Sequence, residues 1–143
     1  MPLTLRPASL EDAELLLAWR NDEETRRASL HQAEIGMPEH CAWLERSLSD
    51  AARQLFIAEL DGRPVGTVRA DLSNEGWELS WTVAPEMRGS GLAKQMVALL
   101  AERIDGPITA VVKIGNPASA RIAEHVGMRL AREADGLLYY TRP

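Results

Sequence analysis

The segment from Arg88 to Ala93, which reads RGSGLA, places two glycines directly ahead of a helix-forming run. Glycines at a junction between a strand and a helix allow several backbone N–H groups to point at one ligand. The helix that follows adds its unpaired N-terminal N–H groups and the positive end of its dipole. These features predict an anion site, and phosphate is the ligand that best suits such a site.

Two common phosphate-binding motifs do not fit this segment. A P-loop requires Gly-Lys followed by Ser or Thr, whereas Lys94 follows Ala93 and precedes Gln95. The dinucleotide-binding fingerprint requires a glycine or an alanine three positions after Gly91, and that position is also Lys94. The sequence therefore excludes both motifs as the explanation of the glycines.

A third pattern, R-x-x-G-x-A, is formed by Arg88, Gly91 and Ala93 between a predicted strand and a predicted helix. This pattern resembles the acetyl-CoA signature of the GNAT acetyltransferase family. The upstream segment 78–85, which reads ELSWTVAP, is similar to the fourth strand and following loop of that family. A turn that merely needs small residues is the alternative for the glycine segment.

The resemblance continues downstream of the glycine segment. Asn116, Ser119 and Gly127 match the N-x-x-[AS] pattern and the terminal glycine of the family's second conserved helix. Together the three blocks extend the resemblance over essentially the whole chain. They imply an N-acetyltransferase that moves an acetyl group directly to a primary amine of a small molecule. The alternatives are a protein N-terminal amine as acceptor, or a non-catalytic acyl-CoA-binding domain of the same fold.

The resemblance assigns a binding site for acetyl-CoA as cosubstrate and implies no metal. The residues expected at the pyrophosphate of coenzyme A are Arg88, Gly89, Ser90, Gly91, Leu92 and Ala93. Backbone groups of Trp81 and Val83 would hydrogen-bond the pantetheine arm, because the fourth and fifth strands splay apart there. Asn116 and Ser119 would lie near the pantetheine or the acetyl end.

Acetyl transfer from a thioester requires a neutral amine, so a general base or a path through water assists it. Glu78 lies ten residues before Arg88, where the family often places a carboxylate, and it is the candidate base. A strand glutamate that faces solvent is the alternative interpretation of this residue.

The residue that protonates the departing thiolate is less clear from the sequence. Many family members carry a tyrosine four residues before the helix-ending glycine, but this chain has Ala123 there. Tyr139, Tyr140, Ser119 or a water molecule are the substitutes considered. Packing on the last strand is the favoured alternative for the two tyrosines.

A block of aromatic and cationic residues in the first helices is the candidate acceptor site. Its members are Trp19, Arg20, Asn21, Arg26, His40 and Trp43. The block resembles the branch with ribosomal-protein and spermidine acetyltransferases, and most of all the enzymes that acetylate UDP-linked amino sugars. Arginines suit a pyrophosphate, and an indole offers a face to a sugar or uracil ring.

The same residues also have structural interpretations. Trp19 and Trp43 are candidate core residues, and Arg26 is a candidate for a solvated helix face. A nucleotide-linked amino sugar, another small amine and a peptide N-terminus therefore all stay open as acceptors.

The elements that must position these residues follow from hydrophobic periodicity. Alternating strand patterns occupy 54–60, 65–71 and 77–83, and the nearly all-apolar run 108–114 predicts a strand buried on both faces. The polar stretch 23–35 is either a frayed helix or a loop. The predicted order is β, α, α, β, β, β, α, β, α, β, β.

This order predicts an α/β fold of the GNAT type, formed by a single domain over residues 1–143. The sheet is expected to be mixed and mostly antiparallel, with about seven strands, four helices and a splayed fourth and fifth strand pair. Such a domain places the glycine segment after the fourth strand.

The bulk properties exclude several other classes. A net charge of −5 disfavours a non-specific nucleic-acid binder, and the one cysteine excludes a disulfide framework. With no apolar run of membrane-spanning length and no signal-peptide pattern, we expect a cytoplasmic protein without membrane or nucleic-acid partners. The family resemblance allows a homodimer, although no sequence feature marks an interface.

Overall fold

The computed structural model describes residues 2–30 and 33–143. It contains one seven-stranded sheet with the strand order β1-β2-β3-β4-β5-β7-β6, in which β4 and β5 run parallel and the other neighbours antiparallel. The strands are β1 (Leu3–Pro7), β2 (Arg53–Leu60), β3 (Arg63–Ser73), β4 (Gly76–Val83), β5 (Ile108–Lys113), β6 (Arg129–Ala134) and β7 (Leu137–Arg142). This sheet confirms the predicted fold class.

Five helices are described, and four of them have nine residues or more. The helices are α1 (Ala13–Asn21), α2 (Glu23–Ala28), α3 (Met37–Ser49), α4 (Leu92–Glu102) and α5 (Pro117–His125). The short α2 occupies part of the polar stretch that the sequence left open. Asp22 caps it by accepting a hydrogen bond from the Thr25 N–H at 3.1 Å. His31 and Gln32 of the same stretch lie outside the described residues.

The helices cover the two faces of the sheet and bury a separate core on each. Helices α4 and α5 pack on one face, where Val68, Ala70 and Leu79 meet buried residues such as Met96 and Leu100. Helices α1 and α3 pack on the other face, over a second core formed by Ala8, Leu16, Trp19, Leu44, Leu55, Ile57 and Ala84. Because successive side chains of a strand point to opposite faces of the sheet, the same strands contribute residues to both cores.

Strands β4 and β5 are paired only where they begin. The described pairs are Trp77 with Ile108 and Glu78 with Thr109, and the strands diverge beyond them. Strand β3 continues to pair with β4 as far as Val83. One edge of β4 is therefore open from position 79 onward, which is the predicted splay.

Gly66 allows β3 to lie close to α4, the helix that follows the glycine segment. A Cβ atom at this position would lie 2.5 Å from Met96 Cε and 2.7 Å from the Thr82 carbonyl oxygen. Because Met96 is fully buried, it has little room to move. We expect Gly66→Ala to lower the free energy of unfolding by about 1–3 kcal/mol in urea denaturation.

Gly36→Ala is the control for that substitution. A Cβ atom there would make an ordinary contact at 3.8 Å with Pro38 Cδ. Its expected cost is about 1 kcal/mol or less, from the weaker capping of α3. Equal stability of the Gly66 variant and the wild type would contradict the packing argument.

Candidate active site

A groove of about 840 Å³ opens where β4 and β5 diverge. Its walls come from β4, the segment 87–91, the start of α4, β5 and the first turns of α5. Its remaining wall comes from α1, α2, α3 and the facing parts of β2 and β3. The fold therefore brings the acceptor block, the β4 strand with the glycine segment, and the start of α5 to one groove, although these three parts are distant along the chain.

The glycine segment forms one end of this groove. Gly89 and Gly91 have φ values of 77° and 79°, and a Cβ atom at either position would meet nothing within 4 Å. The two glycines are thus required by the left-handed backbone and not by lack of space. Helix α4 begins at Leu92 with no acidic residue in its first turn, and Lys94 also lines the groove. This end of the groove suits a phosphate group.

The Arg88 side chain binds α2. Its guanidinium forms ion pairs with Asp22 and, at 2.7 Å, with Glu24, and it donates a hydrogen bond to Thr25 Oγ1 at 3.1 Å. The hydrogen bond from Arg88, followed by that from the Thr25 N–H, lowers the pKa of Asp22. This contact, which no local sequence pattern indicates, joins the glycine segment to the short helix on the acceptor side.

The open edge of β4 presents backbone groups to the groove. The Trp77 N–H donates to the Pro107 carbonyl on the β5 side at 3.0 Å, and the Ala84 N–H donates to the Val65 carbonyl on the β3 side at 2.8 Å. Backbone groups of successive strand residues alternate between the two sides. The N–H and C=O groups of Trp81 and Val83 therefore point into the gap left by β5.

The opposite wall is the start of α5. The Asn116 side chain caps this helix by accepting a hydrogen bond from the Ser119 N–H at 3.3 Å, and both residues line the groove. Ala123, which stands at the family's tyrosine position, is fully buried in the core under the sheet. It supplies no polar group to the groove.

Glu78 lies on the groove wall, at the last position where β4 pairs with β5, and it is partly buried. Burial and then the neighbouring charge of Asp71 raise the pKa of Glu78, while Arg69 acts in the opposite direction. Asp71 is its direct cross-strand partner on β3. A carboxylate with a raised pKa in a groove is suited to accepting a proton near neutral pH.

Tyr139 and Tyr140 are not among the described residues that line the groove. Tyr140 is buried, and burial followed by the charge of Glu124 raises the pKa of its phenol. Tyr139 points to the other side of β7, as strand alternation requires, with Arg132 over its ring at 3.8 Å. The structure thus brings Ser119, and neither tyrosine, to the groove with Glu78.

Three residues of the predicted acceptor block have structural contacts. Trp19 is buried in the core beneath α1 and α3, although it also forms part of the groove lining. The Asn21 side chain donates to the Ile35 carbonyl at 2.8 Å and accepts from the Ile35 N–H at 2.9 Å. Arg26 donates to the Asn21 carbonyl at 3.1 Å and pairs with Glu34 at 3.7 Å. The last two sets of contacts join the end of α1 and α2 to residues 34 and 35.

The other three residues of the block lie together at the groove. The Arg20 guanidinium stacks over the Trp43 indole at 4.9 Å, and His40 stacks against the same indole at 5.6 Å. His40 is fully buried, and burial followed by the charge of Arg20 lowers its pKa, which favours the neutral form of the ring. Arg53 and Arg69, which sequence reasoning missed, also approach this indole.

Two further findings concern metals and membranes. Within residues 2–30 and 33–143, no group of three or more His, Cys, Asp or Glu side chains is arranged to hold a metal ion. No helix in these ranges is long and apolar enough to cross a membrane.

Comparison with solved structures gives close matches of fold. Spermidine N-acetyltransferase from Vibrio cholerae, crystallised with CoA and spermine, matches with a TM-score of 0.87 at 17% identity, covering 98% of this chain and 94% of that one. Ribosomal-protein-alanine N-acetyltransferase from Brucella melitensis matches with a TM-score of 0.80 at 23% identity, and the match covers 97% of this chain and 98% of that one. Aminoglycoside acetyltransferase AAC(6')-Ib in complex with coenzyme A matches with a TM-score of 0.83 at 18% identity, and the match covers 99% of this chain and 94% of that one.

Sequence comparison identifies the family. A search of curated proteins gives no match. The family model described as the acetyltransferase (GNAT) domain matches residues 2–129, which include the glycine segment, β4 and α5. The chain therefore belongs to the GNAT acetyltransferase family, as the R-x-x-G-x-A motif and its two flanking blocks predict.

Proposed function

We propose that this protein transfers the acetyl group of acetyl-CoA directly to a primary amine of a small molecule. One observation carries the proposal: the unpaired edge of β4 runs from the glycine segment to Glu78 along a single groove. The acetyl-CoA molecule runs from its pyrophosphate through the pantetheine arm to the thioester. It therefore needs an anion site, an open strand edge and a base in this order. The groove volume of about 840 Å³ lies in the range of small-molecule sites.

Each part of acetyl-CoA has a matching part of the groove. The backbone N–H groups at Gly89–Gly91 and the N-terminus of α4 suit the pyrophosphate. The open backbone groups of Trp81 and Val83 suit the amides of the pantetheine arm. Asn116 and Ser119 face them from the start of α5. We assign the Arg88 side chain a second role, which is to hold α2 against this segment.

Acetyl-CoA supplies a thioester, whose carbonyl carbon bonds to the amine nitrogen as the C–S bond breaks. We assign Glu78 to accept the ammonium or amine proton, directly or through one water molecule, since its raised pKa makes it a stronger base than an exposed glutamate. The departing sulfur takes a proton from water, either directly or through the Ser119 hydroxyl, which regains its proton from that water. Tyr139 and Tyr140 are the less suitable donors because they lie outside the groove lining.

The acceptor enters from the side of α1, α2 and α3, where the Trp43 indole and the Arg20 guanidinium lie. A nucleotide-linked amino sugar is the first acceptor that we propose, because an indole face suits a ring and arginine suits a pyrophosphate. Ala123 is the one observation that favours the rival function, a non-catalytic acyl-CoA-binding domain.

The test measures acetyl-CoA binding by calorimetry and then thiol release with a panel of amines. The panel contains UDP-linked amino sugars, simple amino sugars, amino acids, spermine and a peptide with a free N-terminus. We expect micromolar binding of acetyl-CoA and turnover of a small amine. Binding of acetyl-CoA without acetylation of any amine would favour the non-catalytic domain, and turnover confined to the peptide would favour the N-terminal acceptor.

A further inference from the structure

Three arginine side chains converge on one indole ring at the acceptor side of the groove. The guanidinium carbons of Arg20, Arg69 and Arg53 lie 4.9, 5.7 and 5.8 Å from the centre of the Trp43 ring. They come from α1, β3 and β2, whereas Trp43 belongs to α3. We call these four residues the Trp43 cluster. Cationic groups on an indole face attract the ring but repel one another.

Two of the three arginines share one carboxylate of the protein. Arg53 Nε contacts Asp71 Oδ1 at 2.6 Å, and Arg69 Nε contacts Asp71 Oδ2 at 3.0 Å. Arg53 also donates to Ser47 Oγ at 2.9 Å. A single carboxylate therefore serves two guanidinium groups, and both of its oxygens are in use.

Arg20 has no such partner within residues 2–30 and 33–143. There it makes no ion pair and no hydrogen bond, although the residue is partly buried and lines the groove. Burial and then the charge of Arg69 lower the pKa of Arg20, so its charged form is disfavoured here. A partly desolvated cation that faces another cation is costly unless an anion joins it.

The carboxylates near the cluster do not supply that anion. Asp71 is held by Arg53 and Arg69, and Glu78 is the base of the proposed function, with a raised pKa. The register of β3 and β4 places Arg69 opposite Ser80 and Asp71 opposite Glu78, on the face covered by α1 and α3. Arg20, which has no carboxylate partner among the described residues, and Glu78 thus both line the groove.

We propose that Arg20, stacked on Trp43 beside Arg69, binds an anionic group of the acceptor and thereby selects primary amines that also carry a carboxylate or a phosphate. The inference rests on the proposed N-acetyltransferase function and specifies its substrate class. It also separates this chain from polyamine acetylation, because three clustered guanidinium groups repel a polycation such as spermine.

The test compares acceptors that differ only in the anion, at saturating acetyl-CoA. The pairs are glucosamine 6-phosphate with glucosamine and an amino acid with its amide, and spermine is added as a polycation. For at least one pair we expect kcat/KM to favour the anionic member. In Arg20→Gln that preference should fall roughly 10- to 100-fold through KM, with kcat little changed, because one charge-assisted contact is lost. The two pairs distinguish a phosphate from a carboxylate.

Arg103→Gln is the matched control. Arg103 also stacks on an aromatic ring, 4.9 Å from the centre of Phe56, but it lies outside the groove lining. We expect it to leave the preference unchanged, and Arg20→Lys to retain part of it. If Arg20→Gln lowered kcat/KM equally for both members of a pair, or if neutral amines or spermine were preferred by the wild type, the proposal would be overturned.

Binding of the anion alone can be measured even if the protein acetylates none of these amines. With the protein saturated in coenzyme A, pyrophosphate or acetate is titrated by calorimetry into the wild type and into Arg20→Gln. Binding that the substitution weakens at least tenfold supports the anion site, and absence of binding to the wild type overturns it. Failure of acetyl-CoA binding or of all turnover would instead count against the proposed function.

Discussion

Replacing Glu78 with glutamine is expected to lower kcat by roughly 10²- to 10⁴-fold, the range typical for loss of a general base. The substitution keeps the size of the side chain and its position at the end of the β4–β5 pairing. It removes only the ability to take a proton. Binding of acetyl-CoA should change little, because the proposed cofactor contacts lie farther along β4. Steady-state kinetics and calorimetry measure the two quantities separately.

The pH dependence gives an independent check of the same residue. Because burial raises the pKa of Glu78 above its ordinary value of 4.5, the rise of kcat/KM with pH should have its midpoint above that value. In Glu78→Gln this limb should disappear. If the rise of kcat/KM with pH in the wild type had its midpoint at the ordinary carboxylate pKa, this would argue against Glu78 as the base.

The free energy of unfolding of Glu78→Gln should not fall together with its kcat. With its pKa raised on folding, Glu78 binds a proton more tightly in the native state, so its stabilising effect is present below pH 4.5 and lost as pH rises through the native pKa. At pH 7 the charged form opposes folding. We therefore expect Glu78→Gln to be at least as stable as the wild type at pH 7 in urea denaturation.

Glu133→Gln provides the matched control. Glu133 is an exposed strand glutamate on β6, outside the groove lining. The substitution Glu133→Gln should leave kcat and the free energy of unfolding unchanged. Comparable losses of kcat in the two variants would show that the effect of Glu78→Gln is not specific to the groove.

Placing a negative charge in the glycine segment is expected to weaken acetyl-CoA binding by roughly 30- to 100-fold at low salt, since like charges at an interface cost several kcal/mol and this site is exposed. Ser90 is the position of choice, because it lies between Gly89 and Gly91 and does not share their positive φ. Ser90→Glu therefore adds charge without left-handed strain. Calorimetry at two salt concentrations measures the loss, which should shrink as salt screens it.

Ser90→Gln separates charge from the other effects of the substitution. Both variants lose the hydrogen bond that the Ser90 hydroxyl donates to the Met87 carbonyl, and both carry a side chain of similar size. The glutamine variant should bind acetyl-CoA within a few-fold of the wild type. If the two variants bound it equally, the segment 88–93 would not hold the pyrophosphate.

Local patterns along the chain were enough to predict the sheet, the longer helices and the family. Alternation in 77–83 and the apolar run 108–114 identify strands, because burial on one or two faces dictates residue type. The glycines at 89 and 91 are informative because their positive φ is a property of the backbone that few other residues tolerate. The stretch 23–35 was ambiguous, since α2 has no buried residue to give it a period.

The tertiary structure decided which of the candidate residues share the groove. Tyr140 and Ser119 are both candidates in the sequence, with packing the favoured interpretation of Tyr140. In the structure Tyr140 is buried on β7, which pairs with β5, while the cap of α5 brings Ser119 to the groove wall. The contact of Arg88 with α2 and the approach of Arg53 and Arg69 to Trp43 join segments far apart in the chain. No local pattern encodes such contacts. The glycine segment and its two flanking blocks thus identify the family from sequence. The charge selectivity that we propose for the acceptor depends instead on how α1 and α3 pack over β2 and β3. That packing places Arg20 on Trp43 with no carboxylate partner among the described residues.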